Sequence, residues 1–75
     1  MSRIPTIKAS ELVRFLKAKG FSEDRQRGSH LSLWQPENKI GVTVPLHSGT
    51  DLGRGITNRI LKDAGITQQD YINWR

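Results

Sequence analysis

Gly28-Ser29-His30 sets an imidazole directly after a turn glycine, at the head of a strand in which apolar and polar residues alternate. Leu31 and Leu33 point to one face, and His30, Ser32 and Trp34 to the other. The leucines mark the core side, so His30 belongs to the open face. The glycine beside it lets another molecule's backbone come close. An imidazole with an ordinary pKa of about 6.5 takes or releases a proton near neutrality. The pattern reads as a catalytic histidine; the plainer reading is a surface histidine on a strand.

Other residues could share such chemistry. Gly28 and Ser29 can offer backbone N–H groups to an anion, with the Ser29 hydroxyl as a further donor. Arg25, Arg27 and Lys39 are expected near the same strand ends, where they could hold a phosphodiester backbone. His47, just after Val44-Pro45, is the candidate for a second proton carrier, or else it caps the strand end. Trp34 could stack on an unpaired base, or else pack over Pro36 or the sheet edge. Arg14, Lys17, Arg59 and Lys62 read as solvated helix-surface charges, together a possible rim. No metal is expected, because His30 and His47 have no clustered carboxylates beside them at ligand spacing.

The elements that must carry these residues follow from periodicity. Ser10 is a candidate N-cap, and Leu12, Val13, Phe15 and Leu16 form an apolar stripe at helical spacing. Lys17 and Lys19 suit the helix end, and Gly20 its termination. Strands are predicted over 21–26, with edge-like charges, 29–35, and 40–44, where Pro45 stops the run. Residues 46–52 read as a loop. A second helix is predicted over 54–64, with Ile56, Ile60, Leu61 and Ala64 inward and Gly65 as its stop. Thr67-Gln68-Gln69-Asp70 resembles a capping arrangement before a short last turn, which Tyr71 and Trp74 should staple to the core. The class is α+β: a three-stranded antiparallel sheet with two helices on one face. The other face displays His30, Ser32 and Trp34, with Thr43 as a neighbour.

Composition bounds the function. The 75 residues suit one domain near the lower size limit for a self-sufficient core. There is no cysteine, which excludes a disulfide framework, a Cys-based zinc site and a thiol nucleophile. No apolar run approaches the roughly 18 residues of a membrane span, and no signal peptide is apparent; the expected location is the cytoplasm. Twelve Lys and Arg against seven Asp and Glu give a net charge of +5, which points to a polyanion or an acidic protein as partner.

The helix–strand–strand–strand–helix order is that of double-stranded-RNA-binding domains. Within that fold, the stretch from Ile7 to Ile72 resembles the HicA-type toxins, the small mRNA interferases of bacterial toxin–antitoxin pairs. The likeness rests on Lys19-Gly20-Phe21, Gly28-Ser29-His30, Val44-Pro45-Leu46-His47, Gly55-Ile56-Thr57-Asn58-Arg59-Ile60-Leu61 and Ala64-Gly65-Ile66, in that order. The resemblance implies that His30 is catalytic, that mRNA is the substrate, and that a HicB-type antitoxin is the partner. Leu31 after the histidine and a slightly long Gly49-Thr50-Asp51 loop depart from the family pattern; neither touches His30.

RNA brings its own nucleophile, the 2′-hydroxyl, so a protein need only move protons and stabilise the crowded phosphate. No cofactor is then required. Two other readings stay open: a non-catalytic RNA binder on the same fold, and an adaptor for an acidic protein. A double-stranded-RNA binder would carry a lysine cluster at the start of its second helix, where this chain has Gly53-Arg54-Gly55-Ile56-Thr57.

Overall fold

The computed structural model describes residues 6–46 and 51–75. In order they form β1 (Ile7–Lys8), α1 (Ala9–Ala18), β2 (Ser22–Arg27), β3 (His30–Gln35), β4 (Ile40–Pro45), β5 (Asp51–Leu52), α2 (Arg54–Asp63) and α3 (Gln68–Trp74). The expected α-β-β-β-α frame is present as an antiparallel sheet in the order β2-β3-β4, with helices against it. Two elements are added, the short pair β1 and β5, and the expected short last turn is the seven-residue helix α3.

On α1, Leu12, Val13, Phe15 and Leu16 are buried, as their spacing predicts. The helix starts earlier than expected, however. Lys8 is its N-cap and offers no side-chain bond, while Ser10 lies inside the first turn. The cause is long-range. Ile7 pairs with Leu52 and Lys8 with Asp51, which fixes residues 7 and 8 as extended and sends the chain into the helix directly afterwards. Gly20, at φ 95°, closes α1 in the left-handed conformation that favours glycine. The Phe21 N–H then reaches the Leu16 carbonyl at 3.0 Å and the Gly20 N–H reaches that of Lys17 at 3.1 Å, a Schellman closure that buries Phe21. The same pair of bonds, from Ile66 to Leu61 and Gly65 to Lys62, ends α2.

The core lies between the helices and one sheet face, where Leu31, Leu33, Val42 and Val44 meet Leu12, Phe15, Ile60 and Leu61. Gln35 completes the inward alternation of β3 and satisfies its amide by donating to the Lys19 carbonyl at 2.6 Å. One inward assignment is corrected. Ile56 is 48% exposed, and Thr57 is buried in its stead. The buried stripe of α2 runs through 57, 60, 61 and 64, the i, i+3, i+4, i+7 set, and Ile56 falls on its flank. Thr67 and Asp70 form a complete capping box at the start of α3. From α3, Tyr71 meets Phe15 edge-on at 5.1 Å between ring centres, and Trp74 stands 5.3 Å from the same ring. The C-terminal aromatics therefore do staple the last helix to the core.

Candidate active site on the open sheet face

The turn between β2 and β3 has two residues, Gly28 and Ser29, closed by the pair Arg27 and His30. Gly28 holds φ 58° and Ser29 does not have positive φ, the pattern of a type II′ turn, which takes glycine first and matches the strand twist. The Gln26 side-chain amide braces the turn by donating to the Gly28 carbonyl at 3.1 Å. Apart from its chain neighbours, no heavy atom of the described residues lies within 4 Å of where a Gly28 Cβ would stand. Among the described residues, neither the Gly28 nor the Ser29 N–H has a backbone acceptor.

His30 emerges from this turn onto the exposed face, as the alternation requires. The register assembles three rows across the sheet: Arg27, His30 and Pro45; Arg25, Ser32 and Thr43; Ser22, Trp34 and Gly41. The Leu46 N–H donates to the Ser29 carbonyl, so 29–46, and by alternation 31–44 and 33–42, are the hydrogen-bonded pairs of this ladder. The open-face pairs 30–45, 32–43 and 34–41 are the non-hydrogen-bonded ones, whose side chains stand closer. Pro45 thus faces His30 from a position where its missing N–H breaks no ladder bond. It is the last residue of β4 rather than the residue after it.

A bulge in β2 decides which charges share this face. Ser22 pairs with Trp34 and Glu23 with Leu33, but the register then slips by one, so that Arg25 meets Ser32 and Arg27 meets His30. Unbroken alternation from Ser22 would have turned both arginines toward the core side and set Asp24 and Gln26 beside Ser32 and His30. The extra residue therefore re-aims two guanidiniums onto the histidine's face.

The remaining expected residues divide. Lys39 is not near the His30 strand ends. It closes the loop before β4, at the opposite end of the sheet, with φ 56°. The reason is topological: β3 and β4 are antiparallel, so the loop joining them lies a full strand away from the β2–β3 turn. Trp34 is 41% exposed and lies over Gly41; a Cβ on Gly41 would stand 3.5 Å from the indole Cε3. His47 lies outside the described residues. Thr43 is the expected neighbour of Ser32. Among the described residues, no three His, Asp or Glu side chains gather as a metal site would require, and no helix is long and apolar enough to cross a membrane.

The family model described as the HicA toxin of bacterial toxin–antitoxin systems matches residues 9–66. That span runs from the start of α1 past the end of α2 and contains every open-face residue named above. No curated protein matches the chain.

Proposed function

This chain belongs to the HicA toxin family, the toxins of bacterial toxin–antitoxin pairs, and from that premise we propose that it is an endoribonuclease acting through His30. The observation that carries the reading is the row Arg27, His30 and Pro45. It sets a proton-transfer group on an exposed face, beside a cation for the phosphate and a turn whose N–H groups have no backbone acceptor among the described residues. Cleavage needs a 2′-oxygen to attack the adjacent phosphorus while its proton leaves to a base. The P–O bond to the 5′-oxygen breaks as that oxygen gains a proton, leaving a 2′,3′-cyclic phosphate. His30 moves one of these protons, and His47 is the candidate for the other. Gly28, Ser29 and Arg27 meet the phosphoryl oxygens, Arg25 the neighbouring phosphate, Trp34 a base, and Lys39 the strand farther along.

The antitoxin, in this reading a HicB-type protein, inhibits by covering the same face in the cytoplasm. An enzyme whose nucleophile belongs to its substrate carries no internal switch, so masking is the direct means of control. The net charge of +5 favours an acidic partner surface.

The test is cleavage of a single-stranded RNA in excess EDTA by the wild-type protein and by His30→Ala. The wild type should cut, and the variant should lose about 10²–10⁴-fold in rate. The fold should persist, because a substitution on an exposed strand position shifts stability by less than about 0.5 kcal/mol. A folded His30→Ala protein that cuts at the normal rate refutes the assignment. Activity abolished by EDTA and restored by Mg²⁺ would mean that metal-activated water is the nucleophile.

A further inference from the structure

We propose that Trp34 is a stacking subsite for the base two nucleotides from the bond cut at His30, and that it restricts the protein to unpaired RNA. The inference rests on the ribonuclease reading and adds a ruler to it.

Trp34 is a large aromatic side chain left 41% exposed while Phe15, Phe21 and Tyr71 are buried. Its surroundings keep it accessible. Its partner on β4 is Gly41, over which the six-membered ring lies, and its partner on β2 is Ser22. The indole's two cross-strand partners are therefore among the smallest residues, and 41% of its surface stays accessible. Core packing does not demand this arrangement, since Leu33 and Gln35 on either side already fill the inward positions.

The spacing supplies the ruler. Trp34 follows His30 by four residues on the same face of one strand, a distance of about 13–14 Å at about 3.4 Å per residue. A stacked nucleic acid strand advances about 3.4 Å per nucleotide, and one pulled open to splay its bases advances roughly twice as far. A splayed strand with its scissile phosphate at His30 thus brings the second base onward over Trp34. The row between them, Arg25, Ser32 and Thr43, meets the intervening phosphate with a guanidinium and two hydroxyls. A base within a duplex has both faces covered by its neighbours and presents none to the indole, so paired RNA forfeits this contact.

The experiment uses a short single-stranded RNA with one cleavable bond and an abasic nucleotide placed in turn at each position up to three away. The proteins are wild type, Trp34→Ala and Trp34→Phe. With wild type, the abasic site two positions away on one side should lower kcat/KM roughly 5- to 150-fold, the span of one base–aromatic stack. Trp34→Ala should show the same loss on intact RNA and no further loss at that abasic site, and Trp34→Phe should recover most of the activity. Overturning results are a Trp34→Ala protein with wild-type kcat/KM, or abasic effects identical with and without the indole. Should the wild type cut no RNA, the ribonuclease reading fails separately. The subsite is then judged by the emission of the His30→Ala protein, with the contribution of Trp74 removed by comparison with His30→Ala/Trp34→Phe. Quenching by single-stranded but not duplex RNA supports the subsite, and unchanged emission overturns it.

Discussion

Replacing Arg25 and Arg27 together by alanine tests whether the β2 bulge serves to charge the His30 face. Both side chains are exposed on an edge strand, so their loss should leave stability within about 0.5 kcal/mol of wild type. Their effect on RNA should be large and salt-dependent. The register sets one guanidinium beside His30 and the other beside Ser32, which allows each to neutralise one phosphate. On a single strand, each phosphate neutralised contributes about 0.7 to the slope of log affinity against log salt. The double variant should therefore bind with a slope shallower by about 1.4. Between 50 and 200 mM salt, a fourfold change, the wild-type arginines should forfeit roughly sevenfold more affinity than the alanines. Binding is measured by anisotropy of a labelled RNA in the His30→Ala background, so that the probe is not cut. Arg14→Ala is the control, because that guanidinium lies over Trp74 on α1, away from the sheet. A slope unchanged in the double variant, or reduced equally by Arg14→Ala, would refute the reasoning. RNA would then run elsewhere than along the bulged strand.

Three further outcomes are expected. Gly28→Ala should lower the unfolding free energy in urea by about 1–2 kcal/mol, since the cost there is left-handed backbone, with no described residue beyond its chain neighbours within 4 Å of the new methyl; Gly28→Asn should lose less. Tyr71→Phe should lose about 1.5–3 kcal/mol, because the buried hydroxyl donates to the Glu11 carboxylate. Burial first, and the Glu11 bond and charge second, hold the Tyr71 phenol well above its ordinary value. The unfolded chain therefore releases this proton first, so the contribution is complete below pH about 10 and is lost as pH climbs through the raised value; urea midpoints across that range should fall less steeply in Tyr71→Phe. In complex with the antitoxin, hydrogen exchange should show protection over residues 28–34, and protection limited to the helices would contradict masking of the His30 face.

Much of this arrangement was legible in the sequence because it is local. The alternation through Leu31, Ser32, Leu33 and Trp34 placed His30 on the open face, and the stripe of α1 placed the core. Gly20, Gly28 and Gly65 each stand at positive φ, where turns and helix ends were expected. What escaped was set by pairing over distance. Two-residue strands such as β1 and β5 have no periodicity to read, yet the pairing of Ile7 with Leu52 decides where α1 begins. Nothing in Ser22-Glu23-Asp24-Arg25 announces a bulge; it is fixed by what β3 can accept opposite. Lys39 was misplaced because strand direction, not sequence distance, sets which loops share an end of the sheet.

The hydrogen-bond parity of the β3–β4 ladder explains why so small a sheet can serve both core and chemistry. Leu31 and Leu33 face Val44 and Val42 at hydrogen-bonded positions, so the inward side chains hang from the residues that hold the ladder together. His30, Ser32 and Trp34 face Pro45, Thr43 and Gly41 at the positions between. There a residue without an N–H, or without a side chain, removes nothing from that ladder. Proline at 45 and glycine at 41 would be costly one residue either way, the proline through a lost ladder bond and the glycine through a lost core side chain. The open face is thus free to vary in chemistry while the inward face is bound to packing. This division allows a histidine, two arginines and an exposed indole to share a sheet whose other side faces the core.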